Sequence, residues 1–119
     1  MNKVVVNLTA GPEDEEASTI AYLVATAAQD AGKETLFFMT KEAVRFGFDG
    51  GADGVQDEGR PSLAALSQQF ADNGGTIYLC PVCVRSRDLD ETTLLSNAAV
   101  LGGAALWEWV GDGATTFTY

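Results

Sequence analysis

Apolar residues recur along this chain in two rhythms. The first is a short, near-continuous run, often rich in β-branched side chains, the mark of a strand buried on both faces. Residues 3–8 (KVVVNL), 34–39 (ETLFFM) and 76–79 (TIYL) carry it, and residues 98–101 and 114–118 carry it more weakly. The second is the three-to-four-residue spacing of a helix face. Ile20, Leu23, Val24, Ala27 and Ala31 fall at i, i+3, i+4, i+7 and i+11, which predicts a helix over 13–31 with that stripe turned to the core. Glu13, Asp14, Glu15 and Glu16 crowd its start, where the helix dipole favours negative charge. Gly32 is a natural stop.

The same reading places a short helix over 41–46 behind Thr40. A longer one opens at Pro61-Ser62, with Leu63, Leu66 and Phe70 on one side, and ends at Asn73-Gly74-Gly75. Further helices are expected from Pro81, over 91–97 behind Asp88 or Asp90, and over 104–110. Trp107 and Trp109 stand two apart on the last of these, so they point to nearly opposite sides and cannot share one core. The stretch 47–59 differs in texture: five glycines interleave with Asp49, Asp53, Asp57 and Glu58. It reads as a mobile, solvated acidic loop, with a lid over a nearby site as the functional alternative. Its acidic residues miss the alternating spacing of a calcium loop. Five strands separated by helices make a single three-layer α/β domain over 1–119, with right-handed crossovers between parallel strands.

Composition narrows the chemistry. The formal net charge of −10 leaves no basic stripe for phosphate, which speaks against nucleic acid and against an anionic membrane surface. No apolar run is long enough to span a bilayer. Met1-Asn2-Lys3 leads straight into the first strand without the pattern of a signal peptide. A cytoplasmic protein is expected, where two cysteines are reactive more often than disulfide-bonded. There is no histidine. That removes Ser-His-Asp and Cys-His catalysis, and two cysteines fall short of the ligands of a structural zinc. No metal or cofactor is implied, and neither a phosphate loop nor a dinucleotide glycine fingerprint follows the first strand.

The two cysteines lie in one stretch, Ile77-Tyr78-Leu79-Cys80-Pro81-Val82-Cys83-Val84-Arg85-Ser86-Arg87. An apolar strand ends in Cys80, and Pro81 suits the first position of a helix because its missing N–H would be unpaired there. Cys80 is thus the expected N-cap, at the carboxyl end of a parallel strand where reacting groups gather. Helix N-termini and nearby cations lower a thiol pKa, and only the thiolate is a good nucleophile. Arg85 or Arg87 could add positive charge by folding back. Residues 9–12 and Thr40-Lys41 occupy matching positions after the first and second strands and could line the same mouth. Three readings stand side by side: a sulfur-carrying Cys80, a Cys80–Cys83 dithiol–disulfide couple, and inert core cysteines in a domain that only binds.

With these residues the chain resembles the DsrE/DsrF-like family, which includes TusD-type sulfur carriers and YchN-like proteins. The likeness rests on the opening strand with Gly11-Pro12 and a long Ala-rich helix, the strand ending in Cys80, and the Arg-containing segment leading to Asp90-Glu91-Thr92. The Gly102-Gly103 helix and the final short strand also fit. The resemblance implies a three-layer α/β/α sandwich with a mostly parallel five-stranded sheet, assembled as a homo-oligomer (trimer or hexamer). It implies a sulfur-relay protein that accepts sulfane sulfur as a persulfide on Cys80 and passes it from a donor protein to an acceptor protein. Cys83 is an auxiliary thiol beyond the TusD-type pattern.

Overall fold

A computed structural model describes residues 2–119; Met1, the first residue of the stretch read above as leading into the first strand, lies outside them. The sheet has five strands: β1 (Lys3–Leu8), β2 (Glu34–Met39), β3 (Thr76–Leu79), β4 (Ala98–Val100) and β5 (Thr115–Thr118). They lie in the order β4-β3-β2-β1-β5, and every pair is parallel. The chain steps in one direction from β1 to β4, then returns across the whole sheet to β5. Right-handed crossovers therefore put α1 (Glu15–Asp30) and α2 (Leu63–Asp72) on one face and α4 (Gly103–Val110) on the other. The short α3 (Pro81–Ser86) sits at the carboxyl end of β3.

Strand register sets the core. Val4, Val6 and Leu8 pair with Thr35, Phe37 and Met39, and Phe37 and Met39 pair in turn with Ile77 and Leu79. All are buried and face α1 and α2. Tyr22 is the keystone from the helix side: its ring centroid lies 4.5 Å from Phe37, 6.1 Å from Phe46 and 6.3 Å from Phe70. Aromatic pairs at such spacings contribute about 0.5–1.5 kcal/mol each beyond their burial. Burial pushes the Tyr22 phenol well above its ordinary range, and Ser67 offsets this only in part. The hydroxyl makes no well-formed hydrogen bond.

Three expectations are corrected here. The buried side of α1 is Ser18, Thr19, Ala21, Tyr22, Ala25 and Thr26, while Ile20, Leu23 and Val24 are half-buried and Ala27 and Ala31 exposed. Small residues let the helix approach the sheet closely. Two of the polar ones bond to backbone, Ser18 Oγ donating to Gly11 O at 2.9 Å and Thr26 Oγ1 to Tyr22 O at 3.0 Å, whereas the Thr19 hydroxyl is buried without a partner. The acidic segment 47–59 turns Asp49, Asp53 and Glu58 to solvent as expected, but its apolar residues pin it to the domain. Phe48, Ala52 and Val55 are buried in the same core. Phe48 bridges Leu94, Asp49 N donates to Thr93 O at 2.8 Å, and Leu95 N donates to Gly47 O at 2.9 Å. Asp57 pairs with Arg60. The expected helix over 91–97 is a single 3₁₀ turn, Glu91–Thr93, capped by Asp90.

The second sheet face is thinly covered. Phe38 and Tyr78 are half-buried, and a groove of about 550 Å³ runs between Val5, Asn7, Phe38 and Thr40 on the sheet and Leu106 and Trp107 on α4. The two tryptophans do part company: Trp107 is 73% exposed, whereas Trp109 is half-buried, with Lys3 Nζ 5.1 Å from its ring centroid.

Candidate active site

The site forms where β2 and β3 end side by side. Cys80 N donates to Met39 O at 3.0 Å, extending the sheet ladder by one residue before the chain turns. Pro81 then occupies the first turn of α3, Cys80 is its N-cap, and Val84 N donates back to Cys80 O at 3.0 Å. Val84 is the buried anchor of this helix. Both thiols are free and half-buried. An N-cap side chain and the third residue of the helix share one edge of the first turn, so Cys80 and Cys83 are neighbours that act on each other's ionisation. Val82 between them is 75% exposed.

The connection after β2 closes the other side. It is a 3₁₀ turn, Lys41–Gly47, and Lys41 opens it in the left-handed region at φ 55°. That conformation costs a non-glycine residue roughly 1–2 kcal/mol. It aims the Lys41 backbone N–H at Cys83 Sγ, 3.1 Å away. Glu42, next in the turn, accepts from Arg45 Nε and from Arg87 Nε, each at 2.7 Å. The two guanidiniums, Arg45 first, hold its carboxyl below the usual carboxylate range. So anchored, Arg87 donates through Nη1 to Cys83 O at 3.2 Å.

The two sulfurs are electrostatically unequal. Partial burial pushes the Cys80 thiol up, but the Cys83 thiol, the N–H groups of Cys83 and Val82 and the Arg87 charge together draw it below its ordinary value. The sulfur makes no capping hydrogen bond of ordinary geometry, so those N–H groups act on it as nearby dipoles. Cys83 is held above its ordinary value by burial and by Cys80, against the pull of the Lys41 amide and Arg87. Cys80 is therefore the more readily ionised sulfur of the pair, and Cys83 the one that more readily keeps its proton.

The other expected contributors divide. Arg87 folds back onto the site, whereas Arg85 points away and pairs with Glu91 at 3.6 Å. Thr9 donates its hydroxyl to Tyr119 O at 3.1 Å and offers nothing to sulfur. Gly11 contributes by its smallness: a Cβ there would lie 2.5 Å from Glu42 O, so its absence lets the turn that carries Lys41 and Glu42 settle against the first βα connection. Glu42 and Arg45 had no sequence signal beyond ordinary helix-surface charge. Among the described residues no group of three His, Cys, Asp or Glu stands close enough to hold a metal ion, and no helix is long and apolar enough to cross a membrane.

The model of the DsrE/DsrF-like family matches residues 2–119. The chain belongs to this family. Among solved structures, this DsrE/DsrF-like protein is similar to the ychN protein of E. coli, at 16% identity and a TM-score of 0.80, with 100% of each chain covered. It is also similar to MTH1491 of Methanobacterium thermoautotrophicum, a protein of unknown function, at 13% identity and a TM-score of 0.67, again over 100% of both chains. At these identities the likeness shows the fold, and the all-parallel five-stranded α/β sheet is common ground. Among curated proteins no sequence match was found.

Proposed function

We propose that this DsrE/DsrF-like protein is a cytoplasmic sulfur-relay carrier: Cys80 accepts a sulfane sulfur as a persulfide from a donor protein and passes it to an acceptor protein. The observation that carries the reading is the asymmetry of the thiol pair, with Cys80 favoured as thiolate at a strand end and helix start. A thiolate attacks sulfane sulfur, and the same N–H groups and Arg87 favour the persulfide anion that results. Exposed Val82 beside the sulfur gives a partner protein an apolar foothold. The same reading includes a homo-oligomer, trimer or hexamer, because the thinly covered second sheet face leaves apolar surface that a further copy of the chain would bury. Intact-mass measurement after incubation with a persulfide donor tests the carrier role. Wild type gains a sulfur atom and Cys80→Ser does not; equal loading of the two removes Cys80 from the mechanism.

A second reading, a dithiol–disulfide redox protein, is favoured by Cys83 lying within reach of Cys80. It requires disulfide-reductase activity and a reversible Cys80–Cys83 bond in the absence of any sulfur donor.

A further inference from the structure

We infer that the site clears itself: when no acceptor takes the sulfur from Cys80, Cys83 displaces it, leaving a Cys80–Cys83 disulfide and releasing hydrosulfide. The inference rests on the carrier reading above and adds a second activity to it, the reduction of sulfane sulfur to sulfide.

The geometry supplies each part. Positions three apart on one helical turn are neighbours, about 5–6 Å between Cβ atoms, and a disulfide needs about 3.5–4.5 Å, so closing the bond draws the first turn in by about 1–2 Å. Lys41 N–H, 3.1 Å from Cys83 Sγ, fixes that sulfur beside Cys80. It comes from the opposite strand end, so it holds Cys83 independently of the helix that carries both cysteines. A backbone donor at this distance also steadies the negative charge that Cys83 develops as it attacks. Arg87, tied to Glu42 and to Cys83 O, keeps a fixed positive charge next to the reaction.

The step balances. The loaded site holds Cys80–S–S⁻ and the protonated Cys83 thiol. The Cys83 sulfur attacks the inner sulfur, Cys80 Sγ, and a Cys80–Cys83 bond forms. The bond between Cys80 Sγ and the outer sulfur breaks, and the outer sulfur leaves with both electrons. It takes the Cys83 proton and departs as HS⁻. The outer sulfur is reduced by two electrons and the two cysteine sulfurs are jointly oxidised by two, so no external oxidant is needed. Thiol exchange of this kind proceeds through attack of a thiolate on the inner sulfur with a good leaving group behind it. Loading also prepares the attack: the negative charge that opposes ionisation of Cys83 moves from Cys80 Sγ to the outer sulfur, one bond further away. Each loading clears once. A further cycle needs a dithiol reductant to reopen the disulfide.

The experiment compares wild type with Cys83→Ser. Both are loaded with a low-molecular-weight persulfide, freed of excess donor by rapid desalting, and followed by intact mass and by trapping of free sulfide. Wild type is expected to lose the added sulfur, to release one sulfide per loaded chain and to end two hydrogens lighter than the reduced protein. Cys83→Ser should hold its persulfide at least about tenfold longer, since the intramolecular attack is gone, and show no disulfide. If wild type and Cys83→Ser load and decay alike, the self-clearing step is wrong and the carrier reading stands. Failure of both proteins to take up sulfur overturns the two together.

Discussion

Arg87 brings positive charge to both thiols, while the balance between them is set by their mutual interaction and the helix start. That charge lowers both, yet Cys80 also gains from the Cys83 thiol and the helix-start N–H groups, so Cys80 ends below its ordinary value and Cys83 above. The sign follows directly: below its own pKa Cys80 is protonated and inert, and it becomes nucleophilic as pH rises through that value. A depressed pKa moves this rise toward neutrality. Alkylation of Cys80 should accordingly reach its plateau at lower pH than a free thiol does. Arg87→Gln should shift the profile upward and slow the rate at neutral pH by roughly two- to tenfold, one pKa unit being tenfold in thiolate at fixed pH. An unchanged profile in the variant would mean that the guanidinium serves only to tie Glu42. Cys80 and Pro81 were legible in the sequence because a strand end and a proline have fixed local meanings, whereas the choice of Arg87 over Arg85 came only with the structure. The contact that holds Cys83 was not legible, because it belongs to the backbone of residue 41 and no side chain announces it.

Among the elements, the turn after β2 opens on a left-handed lysine and the segment that follows packs closely against it. Lys41→Gly keeps the N–H and relieves a left-handed φ worth roughly 1–2 kcal/mol. It adds back unfolded-chain freedom of about 0.4–1 kcal/mol. The expected net is a gain of up to about 1.5 kcal/mol in urea unfolding; a clear loss would show that the lysine side chain itself is needed. At Gly51 a Cβ would overlap the Arg45 carbonyl. Gly51→Ala should therefore cost about 1–3 kcal/mol, the usual penalty for forcing extra volume into packed structure, and a neutral result would mean that the 47–59 segment is looser than its buried Phe48, Ala52 and Val55 indicate. These elements also mark where sequence reading stopped. Lone apolar residues spaced among glycines and aspartates have no periodicity, so their burial was invisible. The face of α1 was misread for a related reason: Tyr22 and the short hydroxylated residues Ser18, Thr19 and Thr26 count as polar by type but bury well beside small neighbours. The long apolar runs of β1 and β2 were readable because burial on both faces leaves no room for polar residues.

At the scale of the whole molecule, the fold is lopsided. One sheet face is sealed by α1 and α2 around an aromatic cluster, and the other bears one eight-residue helix, a groove and the exposed Trp107. If further copies of the chain cover that face, Trp107→Glu should shift the protein to a smaller species in light scattering while leaving the alkylation of Cys80 unchanged. A wild-type protein that is monomeric at working concentration would remove the homo-oligomer from the functional reading. The arrangement of strand ends has another consequence. The hydrogen bond from Lys41 to Cys83 exists only when β2 and β3 lie in their native register, since a slip of one residue displaces one end by about 3.3 Å. Pulsed thiol labelling during refolding can therefore serve as a clock for the middle of the sheet. The moment at which Cys83 becomes slower to label than Cys80 dates the pairing of two neighbouring interior strands, with no added probe.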